Sequence, residues 1–284
     1  MDRIVGTVSL NSREFAKLSS YIHTEFGIKM PQAKKTLLES RLQKRLRKLE
    51  FGSFKDYCEY LFSSDGRAYE LPHFISQITT NKTDFFREPD HFEYMSRTAL
   101  PTLLRDAGSQ QRHLNIWSAG CSTGEEPYTL AIVLSEFKER NPDILFTYKI
   151  IATDISPEVI KTAQNAVYHH DTTIPIPIQV KRKYFMKSKD KSKPIVKVVP
   201  ELRQQIQYKQ LNFMDKDYNM KNPIDMIFCR NVLIYFDRPT QEKVLMKLCR
   251  CLRVGGYFYQ GHSESTQGMN LPLKSMAPTI YKRV

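Results

Sequence analysis

Between Leu114 and Gly124 the chain reads Leu-Asn-Ile-Trp-Ser-Ala-Gly-Cys-Ser-Thr-Gly, a buried strand running into a turn with glycines at Gly120 and Gly124, followed at once by Glu125 and Glu126. Glycines in such a turn let the backbone approach a ligand where a Cβ would collide. A dinucleotide fingerprint spaces its glycines GxGxxG and sets a pyrophosphate against free N–H groups at a helix N-terminus. Here the spacing is GxxxG, and two carboxylates stand where the phosphate would sit. They repel an anion and favour a cation. S-adenosylmethionine, with a sulfonium, an ammonium and no phosphate, is the common ligand of that description. The same residues also suit an ordinary strand-to-helix turn with glutamates placed for the helix dipole.

Further candidates stand at the ends of apolar runs. Asp154 closes Ile150-Ile151-Ala152-Thr153, the position from which a carboxylate takes both ribose hydroxyls of an adenosine, although it also suits an N-cap for a helix at Pro157. Asn212, at the end of Tyr208 to Phe213, is placed to read an adenine edge. Cys229-Arg230-Asn231 ends another run and leads into Val232-Leu-Ile-Tyr235-Phe-Asp237. Amino-directed methyltransferases carry Asn-Pro-Pro-Tyr or Asp-Pro-Pro-Tyr there; neither is present, which points away from a base or amine as substrate. Between Thr79 and Glu88, the hydrogen-bonding residues Asn81, Thr83 and Arg87 flank Phe85 and Phe86, a composition unusual for a spacer but also compatible with a capped helix start.

The elements that must position these residues follow from periodicity. From Pro89 onward helix and strand patterns alternate, as in an α/β domain with a mainly parallel sheet, whose ligands bind at the carboxyl ends of the strands. Strands are expected at about 114–119, 148–153, 206–213, 224–230, 256–261 and 279–284, with helices at about 90–106, 125–140, 157–165 and 239–252. Residues 166–205 break the rhythm: Tyr184 to Met186 and Ile195 to Val199 read as an inserted antiparallel hairpin around a loop rich in lysine, with eight Lys or Arg against one Asp from 181 to 197. The first 80 residues read as short helices. Asn11 and Glu14 form a capping box before one that ends at Gly27, a second runs from about Gln32 to Leu49, a third opens at Ser53 and a fourth at Pro72. The second carries seven basic residues against two glutamates, and Arg41, Arg45 and Lys48, at i, i+4 and i+7, are expected to share a face that docks an acidic partner.

Composition bounds the partners. The 284 residues carry a formal charge of +13, so nucleic acid, membrane headgroups or an acidic protein surface would be attracted. Five cysteines without a CxxC pair, and no apolar core in the opening Met-Asp-Arg-Ile-Val-Gly, lead to the expectation of reduced thiols in the cytoplasm. No apolar run approaches the ~20 residues of a membrane span.

Taken together, Thr79 to Glu88, Trp117 to Tyr128, Ala152-Thr-Asp154, Phe228 to Asp237 and Gly261-His-Ser-Glu264 resemble one family: the bacterial chemotaxis receptor methyltransferases, or CheR family. The resemblance implies a helical N-terminal domain (1–80), a linker (81–88) contributing to the active site, and a Rossmann-like S-adenosylmethionine-dependent methyltransferase domain (89–284) with a small β-subdomain inserted at about 181–200. It implies Asn81, Thr83, Arg87, Glu125, Asp154, Asn212, Phe213, Arg230 and Asn231 as cofactor contacts, Arg87 and Tyr235 beside the reacting methyl, and no metal. The expected partners are the cytoplasmic helices of methyl-accepting chemoreceptors, with the enzyme a cytoplasmic monomer. Family members that tether to a receptor's C-terminal peptide have glycines in the hairpin loop; here it reads Ser188-Lys-Asp-Lys-Ser-Lys193, a departure from that pattern that leaves tethering open.

The implied reaction, methyl transfer to a receptor glutamate, suits these residues. A glutamate side chain, with a pKa of about 4.3, is already a carboxylate nucleophile at neutral pH and needs no general base, only alignment and exclusion of water. Arg87 can hold it through paired N–H donors, and Tyr235 by its hydroxyl, although Tyr235 also suits a buried ring with a satisfied hydroxyl. His262 is then structural. The rival readings are an RNA or DNA methyltransferase, disfavoured because aromatics are not interleaved with the basic stretches, and a non-catalytic cofactor-binding adaptor.

Overall fold

A computed structural model describes residues 8–105, 112–190 and 192–284. The opening residues, the last position of the helix expected to reach 106, and Lys191 in the hairpin loop lie outside the described residues.

The N-terminal segment is helical. Helices α1 (Ser12–Phe26), α2 (Lys35–Lys48), α3 (Phe54–Phe62) and α4 (Leu71–Ile78) bury their apolar stripes against one another. The capping box forms at Asn11 and Glu14, and the Ser53 hydroxyl caps α3. A wide π turn over Gly66–Glu70 precedes α4, which therefore opens one residue before Pro72.

Helices α5 (Pro89–Tyr94) and α6 (Leu100–Arg105) come next, where one unbroken helix was expected; a second π turn, Met95–Ala99, separates them. Then follow β1 (Arg112–Ala119), α7 (Glu125–Arg140), β2 (Phe146–Asp154), α8 (Pro157–Asn165) and β3 (Val167–His169). After these come α9 (Ile178–Tyr184), β4 (Phe185–Lys187), β5 (Ile195–Val198), α10 (Pro200–Arg203) and β6 (Ile206–Gln210). The chain closes with β7 (Ile224–Cys229), α11 (Arg238–Cys251), β8 (Leu252–Gln260), β9 (Leu273–Ala277) and β10 (Ile280–Arg283).

The large sheet has seven strands in the order β6-β2-β1-β7-β8-β10-β9. The first five are parallel; at the edge β10 pairs antiparallel with β8, and β9 antiparallel with β10. From β1 the chain moves first toward β2 and later returns to β7 on the other side, so the order reverses between β1 and β7. A crevice opens at the carboxyl ends of the strands there. β9 escaped sequence reading because Leu273-Lys-Ser-Met-Ala277 is largely exposed and lacks the β-branched alternation of a half-buried strand.

The insert is a three-stranded antiparallel sheet, β3-β5-β4, one strand more than the hairpin expected. Tyr184 ends α9 rather than opening a strand. Alternation along β1 divides the core. Leu114 and Ile116 face a layer containing α7, while Trp117 and Ala119 face a layer that includes α11 and the apolar stripes of α1 to α4. The core of the helical segment is thus continuous with one face of the sheet.

Candidate functional site

At the β1/β7 crevice a cleft is lined by the end of α1 and the turn just after it (Phe26, Ile28), the segment after α4, Phe92 of α5, the turn after β1 with the end of β2, and the segments after β6 and β7. The turn after β1 is pinned by backbone hydrogen bonds from Gly120 and Cys121 to the Thr153 carbonyl, 2.8 and 2.9 Å. Gly120 and Gly124 have φ of +87° and +100°. A Cβ at Gly120 would stand 2.4 Å from Val232 Cγ2, and one at Gly124 2.8 Å from Ala163 Cβ. The close approach these glycines allow is therefore to neighbouring protein behind the turn, not only to a ligand.

Asp154 lines the cleft at the end of β2. Its carboxylate accepts from the backbone N–H of Ser122 (2.9 Å) and of Ser156 (3.0 Å), which fixes its direction. Burial raises its pKa against the lowering effect of these N–H groups. The N-cap of α8 is Ser156, so Asp154 is not spent on that helix. Asn212 stands two residues beyond the observed end of β6, its amide donating to the Glu25 carbonyl (2.7 Å) and its side-chain oxygen accepting from Met214 N–H (2.9 Å). Phe213 is next to it, and both line the cleft.

Asn81, Thr83 and Arg87 line the wall formed by the segment after α4. The Ser122 hydroxyl donates to the Asn81 carbonyl (2.9 Å), tying this segment to the β1 turn. Arg87 donates from Nη1 to the Lys82 carbonyl (3.1 Å). Tyr235 also lines the cleft, from a short 3-10 turn, Leu233–Tyr235, and its backbone carbonyl accepts from Lys29 N–H (2.8 Å).

Arg230 is the hub beneath these walls. Its side chain is 2% exposed, paired with Glu88 at 3.0 Å and Glu126 at 3.2 Å, and it donates to the Arg87 carbonyl and stacks over Phe92. It lines the cleft, and Nε, Nη1 and Nη2 each donate to protein groups, which holds the Arg87 carbonyl and the two carboxylates in place. Burial works to raise the Glu88 carboxyl. Arg230, the His262 N–H and the Asn231 side chain outweigh it and hold Glu88 below the ordinary carboxylate value. At Glu126 burial prevails over Arg230 and Ser118, and the pKa is raised.

The adjacent glutamates divide their roles differently from expectation. Glu126, not Glu125, is the one that lines the cleft. Glu125 is buried, accepts from the Thr123 hydroxyl at 2.7 Å, and is pushed up to about 7 by burial. Successive helical residues point about 100° apart, so α7 turns Glu126 toward the cleft and Glu125 toward the Thr123 hydroxyl.

The docking stripe is also corrected. Arg45 is turned inward and forms a bidentate pair with buried Glu70 (Nε–Oε1 2.9 Å, Nη2–Oε2 2.5 Å), to which Tyr57 also donates. Half-buried Arg41 donates to the Ile78 and Thr79 carbonyls (3.0 and 3.2 Å), securing the start of the cleft wall. Lys48 is exposed, but the exposed basic residues beside it are Lys44 and Arg47.

Sequence reasoning missed Glu88 and Glu126 as partners of Arg230, and Glu264 as an anchor for the turn after β7. The signals were the place of Glu88 inside the polar segment 79–88, of Glu126 after the glycine turn and of Glu264 in Gly261-His-Ser-Glu264, but none of them named the partner. His262 lies outside the cleft lining, paired through Nε2 with Asp90 at 3.1 Å. Glu88, His91 and His262 bring one potential metal-ligand atom each within 4.8 Å of one another. The Arg230 guanidinium on the Glu88 carboxylate would oppose a cation there.

A cleft at the switch point that presents a directed strand-end carboxylate and acidic side chains where a dinucleotide site presents bare N–H groups accommodates a cationic adenosine. It defines a Rossmann-like S-adenosylmethionine-dependent methyltransferase. Residues 81–282 match the family model described as the CheR methyltransferase SAM-binding domain, and residues 13–79 match the CheR methyltransferase all-alpha domain. The chain is 37% identical to the chemotaxis protein methyltransferase of Borreliella burgdorferi over 97% of this chain and 96% of that one. Identity is 36% to chemotaxis protein methyltransferase 2 of Pseudomonas aeruginosa, over 94% and 92% of the two chains. It is 33% to the Escherichia coli chemotaxis protein methyltransferase, over 96% and 92%. The chain belongs to the CheR methyltransferase family.

Proposed function

We propose that this enzyme methylates glutamate side-chain carboxylates of methyl-accepting chemoreceptors, forming methyl esters in sensory adaptation. The observation that carries the reading is that Arg87 and Tyr235 line one cleft in which, among the described residues, there is no histidine and the one lysine is Lys82. A carboxylate nucleophile needs a cation and a hydroxyl to orient it, and nothing to deprotonate it.

In this reading the bound cofactor supplies an electrophilic methyl on a sulfonium. Asp154 holds the ribose hydroxyls, Asn212 and Phe213 the adenine, and Asn81, Thr83 and Asn231 the remaining polar groups. Glu126 takes the role first expected of Glu125, favouring positive charge. Arg87, held at its carbonyl by Arg230, orients the incoming carboxylate, and Tyr235 holds one of its oxygens. The division into a helical domain to 80, a linker at 81–88 and a catalytic domain beyond gives the linker the work of carrying Arg87 into the cleft.

The acidic helices of a receptor are then met by the exposed basic face of α2, with Lys44, Arg47 and Lys48 in place of the original stripe. Among the described residues no helix is long and apolar enough to cross a membrane.

The test is transfer of labelled methyl from S-adenosylmethionine to receptor-containing membranes and, in parallel, to RNA. Base-labile label on receptor glutamates, located by mass spectrometry, is expected. Alkali-stable label on RNA, or cofactor binding without transfer to either, would overturn the reading.

A further inference from the structure

The first N–H groups beyond β7 have neither sheet nor helix partners of their own, and a single distant carboxylate collects them. Glu264 Oε2 accepts from Asn231 N–H (3.0 Å) and Gly261 N–H (2.7 Å), and Oε1 accepts from Val232 N–H (2.9 Å) and Leu233 N–H (2.7 Å). Glu264 is 8% exposed. Three successive backbone donors wrapped around one anion form a nest, and each bond is charge-assisted. Asn231, held with φ of +58°, and Val232 line the cleft, and the 3-10 turn Leu233–Tyr235 starts from the last donor.

We propose that Glu264 is a positioning residue for methyl transfer: its carboxylate sets the path of Asn231 to Leu233 and thereby the placement of the Tyr235 hydroxyl. This rests on the reading that Tyr235 acts on the reacting groups. A second contact supports a closely determined path, since a Cβ at Gly261 would stand 2.4 Å from the Asn231 amide nitrogen. The turn is thus held on one side by the Glu264 nest and on the other by Glu88, which accepts from the Asn231 side chain at 3.3 Å.

Glu264→Gln is the informative variant because each carboxylate oxygen faces two N–H donors. Whichever way the amide is turned, its NH2 group confronts a pair of donors and that half of the nest opens. Misplacement of a catalytic group by about an ångström costs up to a hundredfold in rate, so kcat at saturating receptor is expected to fall at least tenfold. Cofactor Kd, read by calorimetry on the same preparation, is expected to rise by a smaller factor than kcat falls, because Asp154 and the β1 turn are untouched and only the Asn231 contact shifts with the turn. In the ligand-free protein, amide exchange of a peptide covering Val232 to Phe236 is expected to quicken.

The decisive arm is the double variant with Tyr235→Phe. If Glu264 acts through Tyr235, Glu264→Gln costs little kcat in the Tyr235→Phe background. An undiminished loss there, an equal loss of cofactor affinity, or wild-type kcat with faster exchange would overturn the proposal. An inert Tyr235→Phe single variant would instead overturn the reading of Tyr235. If Glu264→Gln does not fold, Glu264→Asp, which keeps the charge one methylene short, is expected to show the same pattern at smaller amplitude. Failure of both to fold would make Glu264 a folding residue only and refute the positioning role.

Discussion

Replacing Arg230 by Met isolates what the hub contributes, because Met fills much of the volume and removes the charge. The side chains of Glu88 and Glu126 are only 12% and 14% exposed where they meet Arg230. Without the guanidinium, two mostly buried carboxylates face each other across the vacated space, and the Arg87 carbonyl loses its donor. Breaking a buried pair by removing one partner costs about 3 to 5 kcal/mol, because the uncompensated charge stays behind. Both groups retain some solvent contact, so the lower end of that range applies. Urea unfolding at pH 7.5 is expected to show a loss of about 3 kcal/mol with an unchanged m-value. The pH dependence carries the stronger test. Burial is the largest influence on both carboxyls and raises them, so without Arg230 their folded-state pKa values are expected to move up, the folded state to bind protons more tightly, and the penalty to shrink as pH falls toward 5. Adding Glu126→Gln is expected to restore part of the lost stability. A loss below about 1 kcal/mol that is flat from pH 5 to 8 would match a solvated pair and refute the hub.

Asp154→Ala removes the proposed acceptor of both ribose hydroxyls, two charge-assisted bonds of about 1.5 to 3 kcal/mol each, so cofactor affinity is expected to fall at least tenfold; unchanged titration calorimetry would show the assignment wrong. Tyr235→Phe is expected to lower the methylation rate with cofactor Kd nearly intact, and equal losses in both would place Tyr235 in the cofactor pocket instead. Glu125, with a folded pKa of about 7 raised by burial, destabilises the fold progressively as pH rises from its unfolded value through 7. Glu125→Gln is therefore expected to be the more stable protein at pH 8, by up to about 3 kcal/mol, and to lose that advantage near pH 4.5. Lys44, Arg47 and Lys48 changed together to Glu are expected to raise the KM for receptor and flatten its salt dependence while leaving cofactor affinity alone; a wild-type KM and slope would move docking to the basic insert.

Much of this protein was legible from residues close together in the chain. The capping box at Asn11 and Glu14 spans three positions, and the glycine turn after β1 declares itself through spacing and the adjacent glutamates. The parallel sheet follows from alternating periodicities, and with it the rule that a cleft opens at the strand ends, where Asp154 and Asn231 line it. These features are set by backbone geometry over a few residues, which is why one sequence suffices to read them.

Tertiary structure alone decided which charged groups face solvent, the cleft or each other. Helical spacing placed Arg41, Arg45 and Lys48 on one stripe, but Glu70, 25 residues away, draws Arg45 into the core. Arg230 meets Glu88 across 142 positions, and Glu264 gathers N–H groups 31 to 33 positions distant. Neither pairing leaves a periodic trace. The choice between Glu125 and Glu126 depended on the rotation of α7 about its axis, which packing against the sheet sets. Burying a charge is tolerated only where a partner of opposite sign or a set of N–H donors meets it, and those partners come together only when the chain has folded.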